Sequence, residues 1–380
     1  MTNTVLLDHC PKSLPANCYL DESWFQREQE MIWRRDWSYV GRREGFGAGL
    51  LHRKEVAGTS IVVCCSQEGS LNAFHNVCMH RGSELCTGKT EKMRGRLITC
   101  PYHAWAYGDD GRLVSTAFAT PTEDFDKRDH GLKPVHLQEW NGFVFVCLAE
   151  TPPEFAPDLG IDALDNWPMS ELVVGYSLEK TVACNWKVFW ENYNECLHCP
   201  GVHPGLTQMV PVYSKGIMSK QEAINWDGDN SGSNLRMGAQ SWTMSGAPCG
   251  PEFADLTQEE RDEAHRFVTL YPTGFVVAHV DYVRVVSLQP IAPETTVLKA
   301  EWLFDPNTLS QPDFNLAHVT DFATGVLNED ASACEWNQQG LRSPAFQQGR
   351  LMPQEFYIHD FHNWVLERVA RDGGEIPTLD

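Results

Sequence analysis

The sequence lacks long apolar runs. No stretch of its 380 residues approaches the ~20 consecutive apolar residues that a membrane-spanning helix needs, so we expect no membrane insertion. The first twenty residues include Asp8 and have no apolar core segment, so we expect no secretory signal. Apolar residues still make up 42% of the chain, which is enough for a substantial core in one large domain or two ordinary ones.

Positive charge is also scarce. The chain has 30 Lys and Arg against 51 Asp and Glu, a formal net charge of −21. Because the phosphates of a nucleic acid would be repelled, we expect no nucleic-acid partner. The thirteen cysteines are an odd number, diluted in a long chain, and do not predict a disulfide framework. The dilute, odd number of cysteines and the expected lack of a secretory signal favour a reducing cytoplasm as the location.

Four residues of types that commonly bind metals form two short motifs, Cys78-x-His80 and Cys100-x-x-His103. Two Cys and two His are the ligand set of a Rieske-type [2Fe–2S] cluster, in which two thiolates hold one iron and two neutral imidazoles hold the other. The motifs therefore predict a one-electron carrier. A carrier implies a second centre that consumes the electrons.

A structural zinc site is the alternative reading of these four residues, because zinc accepts the same ligands. Zinc pairs are usually separated by two to four residues, whereas Cys78 and His80 have one residue between them. Each pair also follows a strand-like segment, at residues 71–77 and 96–99. We therefore interpret the set as cluster ligands.

The pattern of the chain predicts two domains. Between about residues 40 and 150, short strand-like runs alternate with turns, whereas helices and antiparallel strands mix after Thr151-Pro152-Pro153. The amphipathic run Ser23–Arg34 predicts a helix before the first domain. We expect an N-terminal helical segment that packs on the catalytic domain, a cluster domain and a catalytic domain, at residues 1–40, 41–150 and 151–380.

A second metal motif follows, Glu195-x-x-His198-x4-His203. We expect a helix over 185–198, which places Glu195 and His198 on one face, and a break at Pro200-Gly201 that returns His203 towards His198. Two imidazoles completed by a carboxylate form the facial triad of non-haem Fe(II) enzymes.

Asp330 is the carboxylate that we expect to complete this triad. On the helix predicted around residues 327–341 it shares a face with apolar residues, and a carboxylate on a buried stripe needs a cation nearby. Asp321 and Asp360 are the competing candidates.

Cys196-x-x-Cys199 leaves further readings of this segment open. With His203 the two cysteines match a zinc site, and by themselves they match a redox dithiol. A zinc site would leave Glu195 and Asn192 unexplained, so we interpret the cysteines as packing residues beside the iron ligands.

The two motifs in this order resemble the oxygenase (α) components of Rieske non-haem iron oxygenases, over nearly the whole chain. The segments that carry the resemblance are 75–82, 100–105, 195–203 and 329–343. Glu195, the Asn-Trp-Lys at 185–187 and the Phe-His at 361–362 are similar to the branch of choline, glycine betaine and carnitine monooxygenases. The resemblance implies an α+β fold, with a small all-β Rieske domain and a larger helix-grip-type catalytic domain whose antiparallel sheet is flanked by helices.

The resemblance also implies an activity. Such a terminal oxygenase takes electrons from an NAD(P)H-dependent flavin/iron–sulfur reductase and uses O2 to hydroxylate a small substrate. Its cofactors are a [2Fe–2S] cluster on Cys78, His80, Cys100 and His103, and Fe(II) on His198, His203 and Asp330. The resemblance implies a homotrimer, in which Glu195 bridges His103 of one subunit and His198 of the next, and we expect Glu195 and Asn192 to be catalytic side chains. The alternative role of Glu195 is a helix charge without any part in electron transfer.

The expected reaction is oxidative N-demethylation or hydroxylation of a betaine-like quaternary ammonium compound. The alternatives are a ring-hydroxylating dioxygenase for a small aromatic acid, and an electron-transfer or zinc-binding protein without oxygenase activity. Arg236 and Arg284 are candidates to hold a substrate carboxylate. The aromatic candidates to enclose an ammonium group by cation–π contact are Tyr193, Tyr213, Trp226, Trp242, Tyr271, Phe275 and Tyr282.

Overall fold

The computed structural model of the chain describes residues 6–155, 161–218 and 234–379. Its strands are β1 (Lys12–Pro15), β2 (Ser38–Arg42), β3 (Leu50–Val56), β4 (Thr59–Cys65), β5 (Leu71–His75), β6 (Thr90–Lys92), β7 (Leu97–Thr99), β8 (Ala106–Gly108), β9 (Leu113–Ser115), β10 (Pro134–Trp140), β11 (Phe143–Cys147), β12 (Val173–Val182), β13 (His265–Leu270), β14 (Gly274–His279), β15 (Val283–Ala292), β16 (Thr295–Phe304) and β17 (Gln348–Arg350). Its α-helices are α1 (Asn17–Leu20), α2 (Glu22–Glu28), α3 (Trp186–Tyr193), α4 (Cys199–Val202), α5 (Pro204–Met209), α6 (Gln258–Glu263), α7 (Pro306–Leu309), α8 (Leu316–Leu341) and α9 (Phe356–Val369). A π-helical segment, Gln29–Trp33, continues α2.

The chain divides into two compact units. Trp33–Phe155 form one unit, and the segments before and after it together form the other. The division lies at residues 33 and 155, whereas the sequence-based boundaries were drawn at residues 41 and 150. The N-terminal helices α1 and α2 belong to the same unit as the long C-terminal part of the chain.

The unit Trp33–Phe155 consists mainly of β-structure. A seven-stranded sheet has the order β2-β11-β10-β5-β4-β3-β6, and a three-stranded sheet has the order β7-β8-β9. Strand β11 reads Phe-Val-Phe-Val-Cys and is buried along its whole length, as its unbroken apolar run requires. This unit is the small all-β domain that the sequence predicts.

The second unit is built on a five-stranded antiparallel sheet of order β12-β16-β15-β14-β13. Strand β12 lies at the edge, and its residues Ser177, Glu179 and Thr181 alternate outward to solvent. Strand β14 is buried at every position. Gly274 begins β14 because a Cβ there would lie 2.1 Å from the carbonyl oxygen of Val286 on β15.

Two helices, α3 and α8, pack near the buried strands of this sheet, and the second metal motif follows α3 in the chain. Helix α3 packs on β15 and on α8, and α8 also contacts β12. Asn185 caps α3, since its side chain accepts a hydrogen bond from the backbone N–H of Lys187. The helix predicted around residues 327–341 is found within the longer α8, and the antiparallel sheet flanked by helices confirms the predicted α+β class.

A buried ion pair joins the N-terminal helices to α3. The Nζ of Lys187 lies 2.6 Å from Oε1 of Glu28, and both side chains have no solvent exposure. The indole N–H groups of Trp24 and Trp186 donate to the same carboxylate at 2.7 and 2.8 Å. Lys187 also donates to Asn185 at 2.8 Å. The Asn-Trp-Lys segment at 185–187 thus forms a buried polar connection within this unit.

Lys187→Met is expected to lower the free energy of unfolding by about 3–5 kcal/mol, because it leaves the Glu28 carboxylate buried without its cation. Urea unfolding monitored by tryptophan fluorescence measures this loss. The double variant Glu28→Gln/Lys187→Met is the control and is expected to recover part of it, since neither partner then carries a charge. Equal losses in the single and double variants would contradict the assignment.

Within the part of the chain that the structure describes, we find no helix with the length and apolarity needed to cross a membrane.

Candidate functional site

The two Cys/His motifs lie in two loops of the unit Trp33–Phe155 that are closed in the same way. The N–H of Cys78 donates to the carbonyl of Ser83 at 2.8 Å, and the N–H of Gly82 donates back to the carbonyl of Cys78 at 3.0 Å. In the other loop the N–H of Cys100 donates to the carbonyl of Trp105 at 2.8 Å, and the N–H of Ala104 donates to the carbonyl of Cys100 at 3.1 Å. Each loop turns through a residue of positive φ, Gly82 at 79° or Ala104 at 55°.

The loops place two thiols inside and two imidazoles outside. Cys78 and Cys100 are each 2% exposed, whereas His80 is exposed and His103 is half-buried. The centroids of the two imidazoles lie 4.8 Å apart, and the His80 ring stacks on the Trp105 indole at 4.6 Å. Buried thiols beside outward imidazoles suit a cluster whose histidine-bound iron lies at the surface.

Tyr107 is a residue of this site that our sequence analysis missed. Its hydroxyl oxygen accepts a hydrogen bond from the backbone N–H of Met79 at 3.0 Å, and it lies 3.2 Å from Sγ of Cys78. Because the oxygen already accepts from Met79, its own proton is available to the sulfur. Hydrogen bonds to ligand sulfurs are among the features that tune the potential of such clusters.

His198, His203 and Asp330 come together in the other unit, where their ligand atoms lie within 4.8 Å of one another. The Nε2 atom of His203 lies 2.8 Å from Oδ1 of Asp330, and Nε2 of His198 lies 3.5 Å from the same oxygen. The two Nε2 atoms are 3.2 Å apart. The Nε2 edge of each imidazole therefore points at a single shared position.

Two further carboxylates hold the opposite edges of these imidazoles. Oε1 of Glu195 lies 2.6 Å from Nδ1 of His198, and Oε2 of Glu329 lies 2.8 Å from Nδ1 of His203. Protons on the Nδ1 atoms satisfy both contacts and leave both Nε2 lone pairs free for a metal ion. Glu329 was missed from the sequence, because its contact with His203 joins distant segments and no local pattern marks it.

The electrostatics of the His198/His203/Asp330 group favour a positive charge among these side chains. Burial lowers the pKa of His198, but hydrogen bonds to Asp330 and Glu195 outweigh this and raise it to about 9. The pKa of His203 is raised, against burial, by Asp330 and Glu329. Burial raises the pKa of Asp330, yet the two imidazoles bring it below its usual value. A divalent cation fits this site, because it would supply the charge that protons otherwise provide.

Asn192 extends the site, since its amide nitrogen lies 3.3 Å from Nε2 of His198. The two competing acids are elsewhere in accessible positions: Asp321 and Asp360 are both exposed. Of the three acids weighed from the sequence, the structure brings Asp330 to the histidines.

The helix predicted over 185–198 is wrong in its extent. Helix α3 ends at Tyr193, and the side chain of Asn194 turns to donate a hydrogen bond to the Tyr271 hydroxyl at 2.8 Å. Glu195 and His198 meet in a turn instead, where the Glu195 carboxylate accepts hydrogen bonds from the backbone N–H groups of Leu197 and His198. Pro200-Gly201 lie inside the short helix α4, where proline is accepted in the first turn.

Cys196 and Cys199 pack in a buried core beside the candidate metal ligands, as expected, and the structure also joins them in a disulfide that the sequence analysis did not predict. Their Cα atoms are 4.9 Å apart, with His198 in the loop between them. Both are buried. The disulfide closes a short covalent ring, residues 196–199, that includes His198.

A pocket adjoins the His/Asp cluster, and aromatic side chains form part of its lining. Of the candidates named from the sequence, Tyr193, Tyr213, Trp242 and Phe275 line it. Tyr271 and Tyr282 are not among its lining residues, and Trp226 lies outside the described residues. The rings of Tyr193 and Phe275 stack with centroids 3.9 Å apart. Such a wall suits a small organic ligand and, through the ring faces, a cation.

Comparison with family models gives two matches. The model described as "Ring hydroxylating alpha subunit (catalytic domain)" matches residues 169–371, and the model "Rieske [2Fe-2S] domain" matches residues 36–126. The first range contains the His/Asp cluster, and the second contains the two Cys/His loops.

Curated relatives match over nearly the full chain. The glycine betaine monooxygenase oxygenase subunit of Chromohalobacter salexigens is 30% identical, over 97% of this chain and 88% of its own. The carnitine monooxygenase oxygenase subunit of Escherichia coli is also 30% identical, over 95% of this chain and 94% of its own.

Solved structures share the fold. The quaternary ammonium Rieske monooxygenase CntA in complex with L-carnitine matches with a TM-score of 0.68 and 22% identity, over 96% of each chain. A naphthalene 1,2-dioxygenase bound to phenanthrene matches with a TM-score of 0.69 and 19% identity, over 97% of this chain and 95% of that one. The predicted fold is confirmed by these matches. The predicted [2Fe–2S] and mononuclear non-haem iron cofactors are confirmed by the two family models.

Proposed function

The chain belongs to the family of ring-hydroxylating oxygenase α subunits with a Rieske domain, and from this we propose that it oxidises an N-methyl group of a betaine-like quaternary ammonium compound. The observation that carries the proposal is the pairing of the His198/His203/Asp330 cluster with an adjoining aromatic pocket. The relatives named as glycine betaine and carnitine monooxygenase subunits support it.

The proposal assigns ligands to both cofactors. Cys78, Cys100, His80 and His103 hold the [2Fe–2S] cluster, and the Nε2 atoms of His198 and His203 hold Fe(II) with Asp330. When bound, the cluster would supply single electrons, and the iron would supply the chemistry of O2 activation beside the pocket.

The other residues of the site position the ligands and the substrate. Glu195 and Glu329 fix the two imidazole rings through their Nδ1 atoms. Asn192 places an amide N–H donor beside the shared position of the ligand atoms. The aromatic wall that includes Tyr193 and Phe275 excludes water and offers ring faces to an ammonium group.

The proposed reaction balances as a monooxygenation. One atom of O2 enters a C–H bond of the N-methyl group, and the other leaves as water with two electrons from NAD(P)H and two protons. The resulting N-hydroxymethyl group loses formaldehyde when its C–N bond breaks. The nitrogen keeps the electron pair of that bond and is released as a tertiary amine, and the hydroxyl proton goes to solvent.

The proposal also includes the partners. An NAD(P)H-dependent flavin/iron–sulfur reductase supplies the electrons, and a homotrimer places Glu195 between the cluster of one subunit and the iron of the next. We propose the cytoplasm as the location, where reduced pyridine nucleotide is available.

The test is to purify the protein, count iron, and record its visible and EPR spectra. A panel of quaternary amines and aromatic acids is then screened with a reductase and NADH. We expect three irons per chain, two from the cluster and one mononuclear. We also expect formaldehyde in proportion to the oxygen consumed with a quaternary amine.

Other outcomes would point to the alternatives. A colourless zinc protein would overturn the oxygenase assignment. Oxygen uptake with an aromatic acid, together with a hydroxylated ring product and no formaldehyde, would favour the ring-hydroxylating dioxygenase.

A further inference from the structure

Among the described residues, one Lys or Arg side chain lines the pocket beside the His/Asp cluster. This is Arg284, and the other lining residues that are not candidate metal ligands are mostly aromatic or aliphatic. Because a cation placed in an apolar pocket is costly without a compensating anion, its presence there requires an explanation.

The register of the sheet explains how Arg284 reaches the pocket. Arg284 on β15 lies directly opposite Val277 on β14, which lies opposite Phe267 on β13. Residues opposite each other in antiparallel strands share a face, and Phe275 shares the face of Val277 because it is two residues away. Phe267, Phe275 and Arg284 all line the pocket, so this face of the sheet forms one of its walls.

Arg284 is buried and has no anionic partner among the described residues. It is 6% exposed, and its Nε has no hydrogen-bond acceptor. Asp330 attracts it through space, but that carboxylate is already engaged by His198 and His203. Burial lowers the pKa of Arg284, although an arginine remains protonated at neutral pH.

A second donor in the same pocket is also unpaired. The indole Nε1 of Trp242 is buried without an acceptor, and Trp242 lines the pocket. The hydroxyl of Tyr193, which also lines the pocket, is likewise buried without a partner. Buried polar groups in folded proteins are nearly always hydrogen-bonded, so these orphaned groups in one pocket indicate a ligand that accepts hydrogen bonds.

The other arginine considered from the sequence has a different position. Arg236 is exposed and donates from its guanidinium to the carbonyl oxygen of Ser245 at 2.6 Å. It does not line the pocket. Of the two arginines, Arg284 is therefore the one placed to meet a substrate.

We propose that Arg284 binds the carboxylate of the substrate, so that the enzyme selects zwitterionic N-methylated amino acids over cations such as choline. The proposal rests on the proposed function. The guanidinium offers paired N–H donors that match a carboxylate, and the aromatic wall receives the ammonium end of the same molecule. Arg284 is thus a specificity-determining residue of the pocket.

The test compares probes that share a trimethylammonium group. Glycine betaine, γ-butyrobetaine and L-carnitine carry a carboxylate, whereas choline carries a hydroxyl instead. Binding to the iron-loaded protein is measured by isothermal titration calorimetry, together with KM and kcat from oxygen uptake. We expect the wild type to bind at least one of the three carboxylates more tightly than choline.

Arg284→Met is expected to weaken the binding of that carboxylate roughly 10- to 100-fold, the loss typical of a charged hydrogen-bonding partner. Choline binding should change by less than about threefold, since choline makes no bond to the guanidinium. The melting temperature should not fall, because the variant removes an unpaired buried charge. A merely structural arginine would instead lower the melting temperature and weaken all probes alike.

Arg284→Lys keeps the charge without the paired donors and is expected to lie between the wild type and Arg284→Met in affinity for the carboxylate. Arg236→Met is the matched control and should leave all affinities unchanged. A wild type that oxidises choline and binds it as tightly as the carboxylates would overturn the role of Arg284 while the proposed function stands. If neither the four probes nor any other quaternary amine gave formaldehyde, that result would instead count against the proposed function.

Discussion

Asp330→Ala is expected to abolish substrate-dependent oxygen uptake and to lower the iron content from three to two per chain. Asp330 is the acid whose Oδ1 lies 2.8 Å from Nε2 of His203 and 3.5 Å from Nε2 of His198. Without it, two imidazoles remain, which do not make the facial triad that holds Fe(II). The cluster loops lie in the other compact unit, so the two cluster irons should be retained.

Iron analysis and the EPR spectrum of the dithionite-reduced protein measure these two effects separately. The reduced-cluster signal should keep its intensity while the third iron is lost. Asp321→Ala is the matched control, because Asp321 is an exposed acid on the same helix α8. It should retain all three irons and full activity. If Asp330→Ala retains three irons and turns over, the proposed ligand set is wrong.

The parts of the site that could be predicted from the sequence are those with local spacing. Cys78-x-His80 and Cys100-x-x-His103 each place two side chains in one tight loop, so the spacing alone identifies candidate ligands. Asp330 could be identified because helical periodicity places it on the inward side of α8. The strand alternation and the long helices were predicted for the same reason.

The parts that could not be predicted depend on contacts between distant segments. The contact of Glu329 with His203 joins residues that are 126 positions apart, and the orphaned state of Arg284 depends on strands β13 to β15 pairing in one register. The end of α3 at Tyr193 was misjudged, because Asn194 bonds to Tyr271 rather than continuing the helix. Each of these features is decided by tertiary packing, which periodicity does not encode.

Glu195→Ala is expected to retain three irons per chain and to lose steady turnover. Two roles are possible for this carboxylate, orientation of His198 through its 2.6 Å contact with Nδ1 and electron transfer between subunits. Loss of an orienting partner of a metal ligand costs roughly 10- to 100-fold in activity or metal affinity. A larger loss with the iron still bound therefore indicates a role beyond orientation.

Glu329→Ala separates the two roles, because Glu329 holds His203 through an equivalent contact of 2.8 Å to Nδ1. Its activity should fall only by the roughly 10- to 100-fold that orientation accounts for. Stopped-flow measurement of cluster reoxidation by oxygen, with substrate present, follows the electron transfer directly. Reoxidation should remain rapid in Glu329→Ala and nearly stop in Glu195→Ala, whereas Glu195→Asp should restore it in part, since it keeps a carboxylate on a shorter side chain. Equal reoxidation rates in the two alanine variants would reduce Glu195 to an orienting residue and would remove the reason to place it between subunits.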